Sequence, residues 1–131
     1  MKIVIDTNVW ISFLIGRILG GLEEKLVSRK IQILTSDEQI HEIIRVVTRP
    51  KFAQYFSREK VFEMLALITR LSETVVIEKR VFDCPDKKDN FILEIAVNGG
   101  AELIVTGDKD LLNMNPYQGI KVVNYKDFVG L

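Results

Sequence analysis

The chain opens with Met1-Lys2-Ile3-Val4-Ile5-Asp6-Thr7-Asn8, a short apolar run that ends at a carboxylate. Ile3, Val4 and Ile5 are β-branched, and such a run is typical of a strand buried on both faces of a parallel sheet. Asp6 then falls at the carboxyl end of that strand, which is the edge where open α/β sheets bind ligands. An Asp at a strand-to-helix junction also serves as a turn former, so this stretch alone fits both roles.

Composition and charge are those of an ordinary globular protein. The 131 residues are 47% hydrophobic and 27% charged, and 18 Lys and Arg balance 18 Asp and Glu. The length fits a single domain over residues 1–131 with a sizeable core. Zero net charge argues against nucleic-acid binding through bulk positive charge, although a local basic rim around an acidic centre remains compatible with it.

Three features concern the compartment. The single Cys84 cannot form an intrachain disulfide, which suggests a reducing environment. The opening apolar run stops at Asp6 and is too short for a signal peptide. No run approaches the roughly 20 apolar residues of a membrane span. The sequence therefore predicts a cytoplasmic protein without a membrane segment.

Short apolar runs alternate with helical patterns along the rest of the chain. The runs predict five strands, at residues 3–5, 31–34, 74–77, 103–105 and 121–123. Helical spacing and capping residues predict helices at 9–14, 22–29, 36–48 and 87–98, with another after Ser57. Ser36 followed by Gln39 fits a capping box. This alternation predicts an α/β three-layer sandwich, a five-stranded parallel sheet flanked by helices, although it does not give the strand order.

A second carboxylate follows a strand as Asp6 does. The strand Leu103-Ile104-Val105 is followed by Thr106-Gly107-Asp108, so a hydroxyl residue and an Asp again lie at a strand end. Asp108 is also a natural N-cap for the short helix that follows, with Asp110 in its first turn. The repetition favours a shared role, because the carboxyl ends of neighbouring parallel strands meet at one edge of a sheet.

The segment Pro85-Asp86-Lys87-Lys88-Asp89 brings further acids to the start of a helix. If Asp86 is the N-cap, Asp89 is the N3 residue, where an acid is favourable. Asp89 also shares a helical stripe with Leu93 and Ala96, which should face the sheet. A carboxylate that points inward needs a partner, because burying an unpaired charge is costly, and a metal ion is one such partner.

Glu42 is a weaker candidate on periodicity alone. The apolar stripe of its helix comprises Ile40, Ile43, Ile44 and Val47. Glu42 lies away from that stripe among other charged residues, so a solvated, salt-bridged face is the default interpretation. His41 is the one histidine of the sequence, and a lone histidine predicts neither a zinc site nor a catalytic triad.

With these residues laid out, the chain resembles PIN-domain proteins over nearly its whole length. It looks most like the toxin components of toxin–antitoxin systems and, more loosely, like VapC-like ribonucleases. Four segments carry the resemblance: Ile5-Asp6-Thr7-Asn8; Glu42 with Val46-Val47-Thr48-Arg49-Pro50-Lys51-Phe52; Cys84-Pro85-Asp86-Lys87-Lys88-Asp89-Asn90 with Glu94-Ile95-Ala96; and Ile104-Val105-Thr106-Gly107-Asp108-Lys109-Asp110-Leu111. Each segment alone is unspecific, but the four occur in the family's order.

The resemblance implies a PIN-like sheet with the first strand at its centre. It also implies an endoribonuclease that depends on Mg²⁺ or Mn²⁺ and hydrolyses phosphodiester bonds in single-stranded RNA. Hard oxygen ligands without His or Cys suit these cations better than zinc. The expected partners are RNA, an antitoxin protein and a second copy in a homodimer. The alternative is a catalytically silent RNA- or protein-binding domain of the same fold.

The implied site residues fall into groups by role. The catalytic acids are Asp6, Glu42, Asp89 and Asp108. The metal ligands are Asp6, Asp89, Asp108 and Asp110, with Glu42 and Asp110 acting through water. The residues that orient the carboxylates are Thr7, Asn8 and Thr106. The cations placed to contact phosphates are Arg45, Lys88 and Lys109, together with Lys87 and Arg49. Asp89 is favoured over Asp86, and Asp108 over Asp110, as the acid closest to the metal.

Two other classes of phosphate chemistry fit the sequence less well. A receiver-like phosphotransfer protein needs an Asp at the end of the third strand, and the predicted strand 74–77 has none there. A haloacid-dehalogenase-like phosphatase needs a second Asp two residues after the first, where Asn8 stands. The apolar residues that fit either the core or a dimer or antitoxin surface are Phe13, Leu14, Ile18, Leu19, Phe52, Tyr55 and Phe56.

Overall fold

The computed structural model describes residues 1–16, 24 and 30–130. Its five strands are β1 (Lys2–Ile5), β2 (Gln32–Thr35), β3 (Ser72–Thr74), β4 (Leu103–Val105) and β5 (Lys121–Val123). They form one sheet in the order β3-β2-β1-β4-β5, and every neighbouring pair is parallel. The first strand is central, as the resemblance implies, and the predicted α/β fold is confirmed.

Helices cover both faces of the sheet. In the described part of the chain they are α1 (Thr7–Gly16), α2 (Asp37–Val47), α3 (Arg58–Leu71), α4 (Asn90–Gly99), α5 (Lys109–Leu112) and α6 (Tyr125–Val129), with 3₁₀ turns at Pro50–Phe52 and Lys87–Asp89. Ser36 caps α2 and Ser57 caps α3, as predicted, and Gly100 ends α4 in the left-handed region at φ 68°.

The core is split between the two faces by the alternation of the central strand. Ile3 and Ile5 belong to the cluster that includes Trp10 of α1, whereas Val4 belongs to the cluster that includes Ile92 of α4. The three β1 residues are completely buried. Burying a side chain of this size stabilises the fold by about 1.5–3 kcal/mol. The central strand is therefore a rigid support for Asp6, which follows it.

The structure corrects the predicted starts of two helices. The first helix begins at Thr7 and not at residue 9, because the Asp6 carbonyl already accepts hydrogen bonds from the Val9 and Trp10 amides, both at 3.0 Å. The helix predicted from residue 87 begins at Asn90. Asp86 caps a 3₁₀ turn instead, so Asp89 is the N-cap residue of α4 and not its N3 residue.

The third strand also lies earlier than predicted, at Ser72–Thr74 and not at 74–77. It is an edge strand, and α3 passes into it directly. The Val75 amide still donates to the Thr35 carbonyl at 2.7 Å, but Val76 is 76% exposed. Val75 and Ile77 pack against the α4 side of the core, and that packing produces the alternating pattern that resembled a strand.

The apolar residues considered for a partner surface separate into core and surface. Phe13 is buried, and Leu14, Phe52 and Phe56 pack against the core, whereas Tyr55 is 46% exposed. Ile18, Leu19 and the helix predicted at 22–29 lie outside the described residues. Within the described residues, no helix has the length and apolar character needed to cross a bilayer.

Candidate active site

Asp6 and Asp108 meet at the carboxyl edge of the two paired strands β1 and β4. The Thr106 hydroxyl joins them, because Thr106 Oγ1 donates to Asp6 Oδ2 at 2.7 Å and accepts from the Asp108 amide at 3.0 Å. Thr106 is completely buried, so this linkage is held inside the protein. The Asp6 carboxylate therefore points toward the end of β4, whereas the Asp6 backbone carbonyl accepts the hydrogen bonds of the first turn of α1.

A cavity of about 530 Å³ opens at this edge of the sheet. Its acidic residues are Asp6, Glu38, Glu42, Asp86, Asp89 and Asp108. Its basic residues are Arg45, Arg49 and Lys88, and the remaining wall consists of Thr7, Asn8, Val46 and Phe91. All four predicted catalytic acids are thus brought to one cavity. The excess of carboxylates gives the cavity a negative field that attracts cations.

The charged face of α2 forms one wall of this cavity. Glu42 is ion-paired with Arg45 on that face, and its side chain is 25% exposed, compared with 69% for Arg45. Asp89 and Phe91 line the same cavity from the start of α4. Glu42 is thus salt-bridged, as its position on the charged face predicts, but it also lines the cavity, and its catalytic role stays a prediction.

Asp89 is the most strongly perturbed acid of the cavity. Its pKa is raised to about 7, chiefly by burial, then by the negative charge of Asp108 and by a hydrogen bond that protonated Asp89 gives to Asp108. The negative charges of Asp6 and Asp86 add to the effect. Asp89 Oδ2 is fully buried and has no hydrogen-bond partner among the described residues. This oxygen lacks the partner that a buried carboxylate requires.

Asp6 is perturbed in the same direction. Burial raises its pKa above the ordinary value, the hydrogen bonds from Thr106 and the Thr7 amide lower it, and the charge of Asp108 raises it further. The Thr7 hydroxyl is buried without a partner in the described part of the chain. Asn8 is exposed at the cavity wall. Of the three predicted orienting residues, Thr106 contacts the Asp6 carboxylate through its side chain and Thr7 through its backbone amide.

The donor set fits a hard divalent cation. The candidate donors are carboxylate oxygens, one of them buried without a partner. Among residues 1–16, 24 and 30–130, no three His, Cys, Asp or Glu side chains are arranged to hold a metal ion together. Mg²⁺ usually takes one or two carboxylates and keeps several waters. The arrangement therefore suits a partly hydrated cation better than an all-protein cage.

Four predicted site residues lie outside the cavity wall: the completely buried Thr106, and Lys87, Lys109 and Asp110. The Asp110 amide donates to Asp108 Oδ1 at 2.7 Å, so its backbone positions the Asp108 carboxylate, while its side chain is not part of the lining. Lys109 is exposed on α5 and also does not line the cavity. Conversely, Glu38 lines the cavity although it is not among the predicted site residues. Its position one helical turn before Glu42 indicates that the two acids share a helix face.

Gln39 is a supporting residue that sequence reasoning missed. Its side chain is completely buried, donates to the Ile5 carbonyl at 2.6 Å and accepts from Thr35 Oγ1 at 2.7 Å. It thereby ties the ends of β1 and β2 together beside Asp6. The Gln39 amide does bond to Ser36 Oγ at 3.2 Å, but the side chain does not complete the predicted capping box.

Gln39→Leu is expected to lower the free energy of unfolding by about 2–4 kcal/mol. The substitution leaves the Ile5 carbonyl and the Thr35 hydroxyl without their partner, and each unsatisfied buried group costs about 1–3 kcal/mol. Urea denaturation measures the change. Gln54→Leu, at an exposed position, is the matched control and should stay within about 0.5 kcal/mol of wild type. Equal effects of the two variants would contradict the supporting role of Gln39.

The metal-free protein is expected to be more stable at pH 6 than at pH 8. The pKa of Asp89 in the folded state, about 7, exceeds its ordinary value of 3.8, so the folded state binds more protons between these values. Raising the pH through this interval therefore reduces stability, and the loss is complete above pH 7. Urea midpoints measured in chelator at both pH values test the sign.

Asp89→Asn should reduce this pH dependence, because the titrating group is removed. Asp127→Asn, at an exposed position outside the cavity, should leave it unchanged. Equal pH dependence of the wild type and Asp89→Asn would show that Asp89 does not carry a raised pKa.

Comparison with known proteins gives the family. A model of the PIN domain matches residues 2–110, which include all six acids of the cavity. An uncharacterised protein of Methanocaldococcus jannaschii is 32% identical over 132 aligned residues, covering 96% of this chain and 84% of that protein. No solved structure gives a significant match. PIN domains are generally nucleases, and such nucleases typically use divalent metals. The chain belongs to the PIN-domain family.

Proposed function

We propose that this protein is an Mg²⁺- or Mn²⁺-dependent endoribonuclease that hydrolyses phosphodiester bonds in single-stranded RNA. The observation that carries the proposal is the meeting of Asp6, Asp89 and Asp108 at one cavity, where Asp89 Oδ2 is buried without a partner. Three neighbouring carboxylates repel one another, and a bound cation would relieve this repulsion.

Each acid has a distinct part in this proposal. Asp6, Asp89 and Asp108 would hold the cation, with Thr106 fixing the orientation of Asp6. When bound, the cation supplies a water of lowered pKa and offsets the charge that develops on the phosphate. Glu42, on the α2 wall of the cavity, would accept a hydrogen bond from a water at the phosphate. The Asp110 amide keeps Asp108 in place.

The composition of the cavity wall favours a single-stranded substrate. Among the described residues that line the cavity, one is aromatic, Phe91. Unpaired bases stack on aromatic side chains, and such contacts tolerate different sequences. The bases of a duplex are already stacked on one another and do not present their faces. The zero net charge also favours local recognition at the cavity over binding along an extended basic surface.

We also propose a cellular role as the toxin of a toxin–antitoxin pair, acting in the cytoplasm as a homodimer. The proposed antitoxin blocks the cavity, and its own basic residues match the excess of carboxylates there. Induced expression of wild type should then arrest growth, and the active-site variants described below should not.

Incubation of the purified protein with defined nucleic acids tests the activity. The panel contains single-stranded RNA, duplex RNA and single-stranded DNA, each with and without Mn²⁺. Cleavage of single-stranded RNA that requires Mn²⁺ is the expected result. RNA binding without cleavage under every condition would instead favour a catalytically silent RNA-binding domain.

A further inference from the structure

The cations of the cavity wall differ in whether an acid already neutralises them. Arg45 is ion-paired with Glu42, and Lys88 Nζ lies 3.7 Å from Asp86 Oδ2. Arg49 lines the same cavity, but its side chain makes no ion pair or hydrogen bond with any residue that the structure describes. Its guanidinium therefore keeps its full charge and all its donors available to a ligand.

The backbone of Arg49 is held firmly at the end of α2. Its amide donates to the Val46 carbonyl at 3.1 Å, and its carbonyl accepts from the Phe52 amide at 2.9 Å. Pro50 follows and restricts Arg49 to extended conformations, in agreement with its φ of −65° and ψ of 145°. The side chain thus extends from a fixed point on the cavity wall, which reduces the entropy lost when it binds a ligand.

Arg49 lies two residues beyond Val47, where α2 ends. Glu42 lies five residues, or about 7.5 Å along the helix axis, before that end. The carboxylates at the sheet edge mark the place of the cleaved phosphate. The Arg49 side chain starts beyond the end of α2 on the wall of the same cavity, and it is therefore placed for a neighbouring phosphate of the same strand.

Building on the proposed nuclease function, we infer that Arg49 binds an RNA phosphate next to the cleaved one. The planar guanidinium donates two parallel hydrogen bonds to phosphate oxygens, a geometry that a lysine ammonium lacks. Arg45 and Lys88 each share their charge with an acid of the cavity wall, whereas Arg49 offers the phosphate an unshared charge. Arg49 is thus the cation of this wall that contributes most to holding the RNA.

Arg49→Gln and Lys51→Gln form a matched pair for the test. Each removes one positive charge, and the two positions flank Pro50. The Lys51 ammonium lies 5.0 Å from the centre of the Phe52 ring, and Lys51 is not part of the cavity wall. Cleavage kinetics of a single-stranded RNA in Mg²⁺, and binding of the same RNA in chelator at several salt concentrations, are measured for both variants and wild type.

For Arg49→Gln we expect a KM increased about tenfold, a kcat changed less than threefold, and a salt slope of binding reduced by about 0.7, as for one lost single-strand phosphate contact. Arg49→Lys should restore the salt slope but only part of the affinity. Lys51→Gln should match wild type in all three quantities. Thermal melts establish that each variant is folded.

If wild type cleaves RNA and Arg49→Gln behaves like Lys51→Gln, the role of Arg49 is refuted and the nuclease function stands. If Arg49→Gln lowers kcat and leaves KM and the salt slope unchanged, phosphate binding beside the cleaved bond is also refuted. If wild type neither binds nor cleaves single-stranded RNA, the nuclease function is refuted and the inference with it.

Discussion

Asp6→Asn is expected to abolish RNA cleavage while leaving the fold intact. Asp6 is the acid at the centre of the sheet edge, held by Thr106, and an amide at this position has no negative charge with which to bind a cation. Loss of one preorganised electrostatic group lowers turnover by roughly 10²–10³-fold. A larger loss is expected here, because the cation itself would be lost. Cleavage of a fluorescent single-stranded RNA measures the effect.

The fold should survive because the asparagine can keep the hydrogen bond with Thr106. Burial raises the pKa of Asp6, which means that the folded protein disfavours the charged carboxylate. Replacing it with a neutral amide should therefore leave the melting temperature of the metal-free protein unchanged or higher. Asp127→Asn is the matched control and should cleave like wild type. Full activity in Asp6→Asn would point to a contaminating nuclease and reject the assignment.

The position of Asp6 could be predicted from sequence because its cause is local. Ile3-Val4-Ile5 is apolar at every position, so it predicts a strand buried on both faces, and the next residue must then lie at the sheet edge. The pattern repeats before Asp108. What the pattern lacked was strand order, because apolar runs do not specify their neighbours. The pairing of β1 with β4 places the two acids together; the family resemblance put the first strand at the centre of the sheet but did not name its neighbours.

Glu42 and Gln39 show where periodicity fails. A helical face of charged residues has the same pattern whether it meets bulk water or an acidic cavity, so Glu42 could not be assigned from its own helix. Gln39 is polar and lies in the first turn of α2, where a surface position is the usual expectation. Its buried side chain bonds to Thr35, four residues earlier, and to the carbonyl of Ile5 on the distant strand β1, and no local pattern encodes this second partner.

Removal of divalent cations is expected to reduce cleavage to background, and addition of Mg²⁺ or Mn²⁺ to restore it. Without the cation, the negative charges of the acids at the sheet edge repel the phosphate. The fold should remain, because the two core clusters lie on either side of the sheet and include none of these acids. Activity in chelator followed by titration with each metal measures the effect.

The same cations should raise the melting temperature of the wild type, because a ligand that binds only the folded state stabilises it. At a metal concentration one hundredfold above Kd, the gain is about 2.7 kcal/mol. Asp89→Asn should lose most of this gain, since it removes the carboxylate whose buried oxygen has no other partner. Asp127→Asn should retain it. Cleavage that persists in chelator, together with a melting temperature indifferent to millimolar Mg²⁺ and Mn²⁺, would show that these carboxylates meet for a reason other than metal binding.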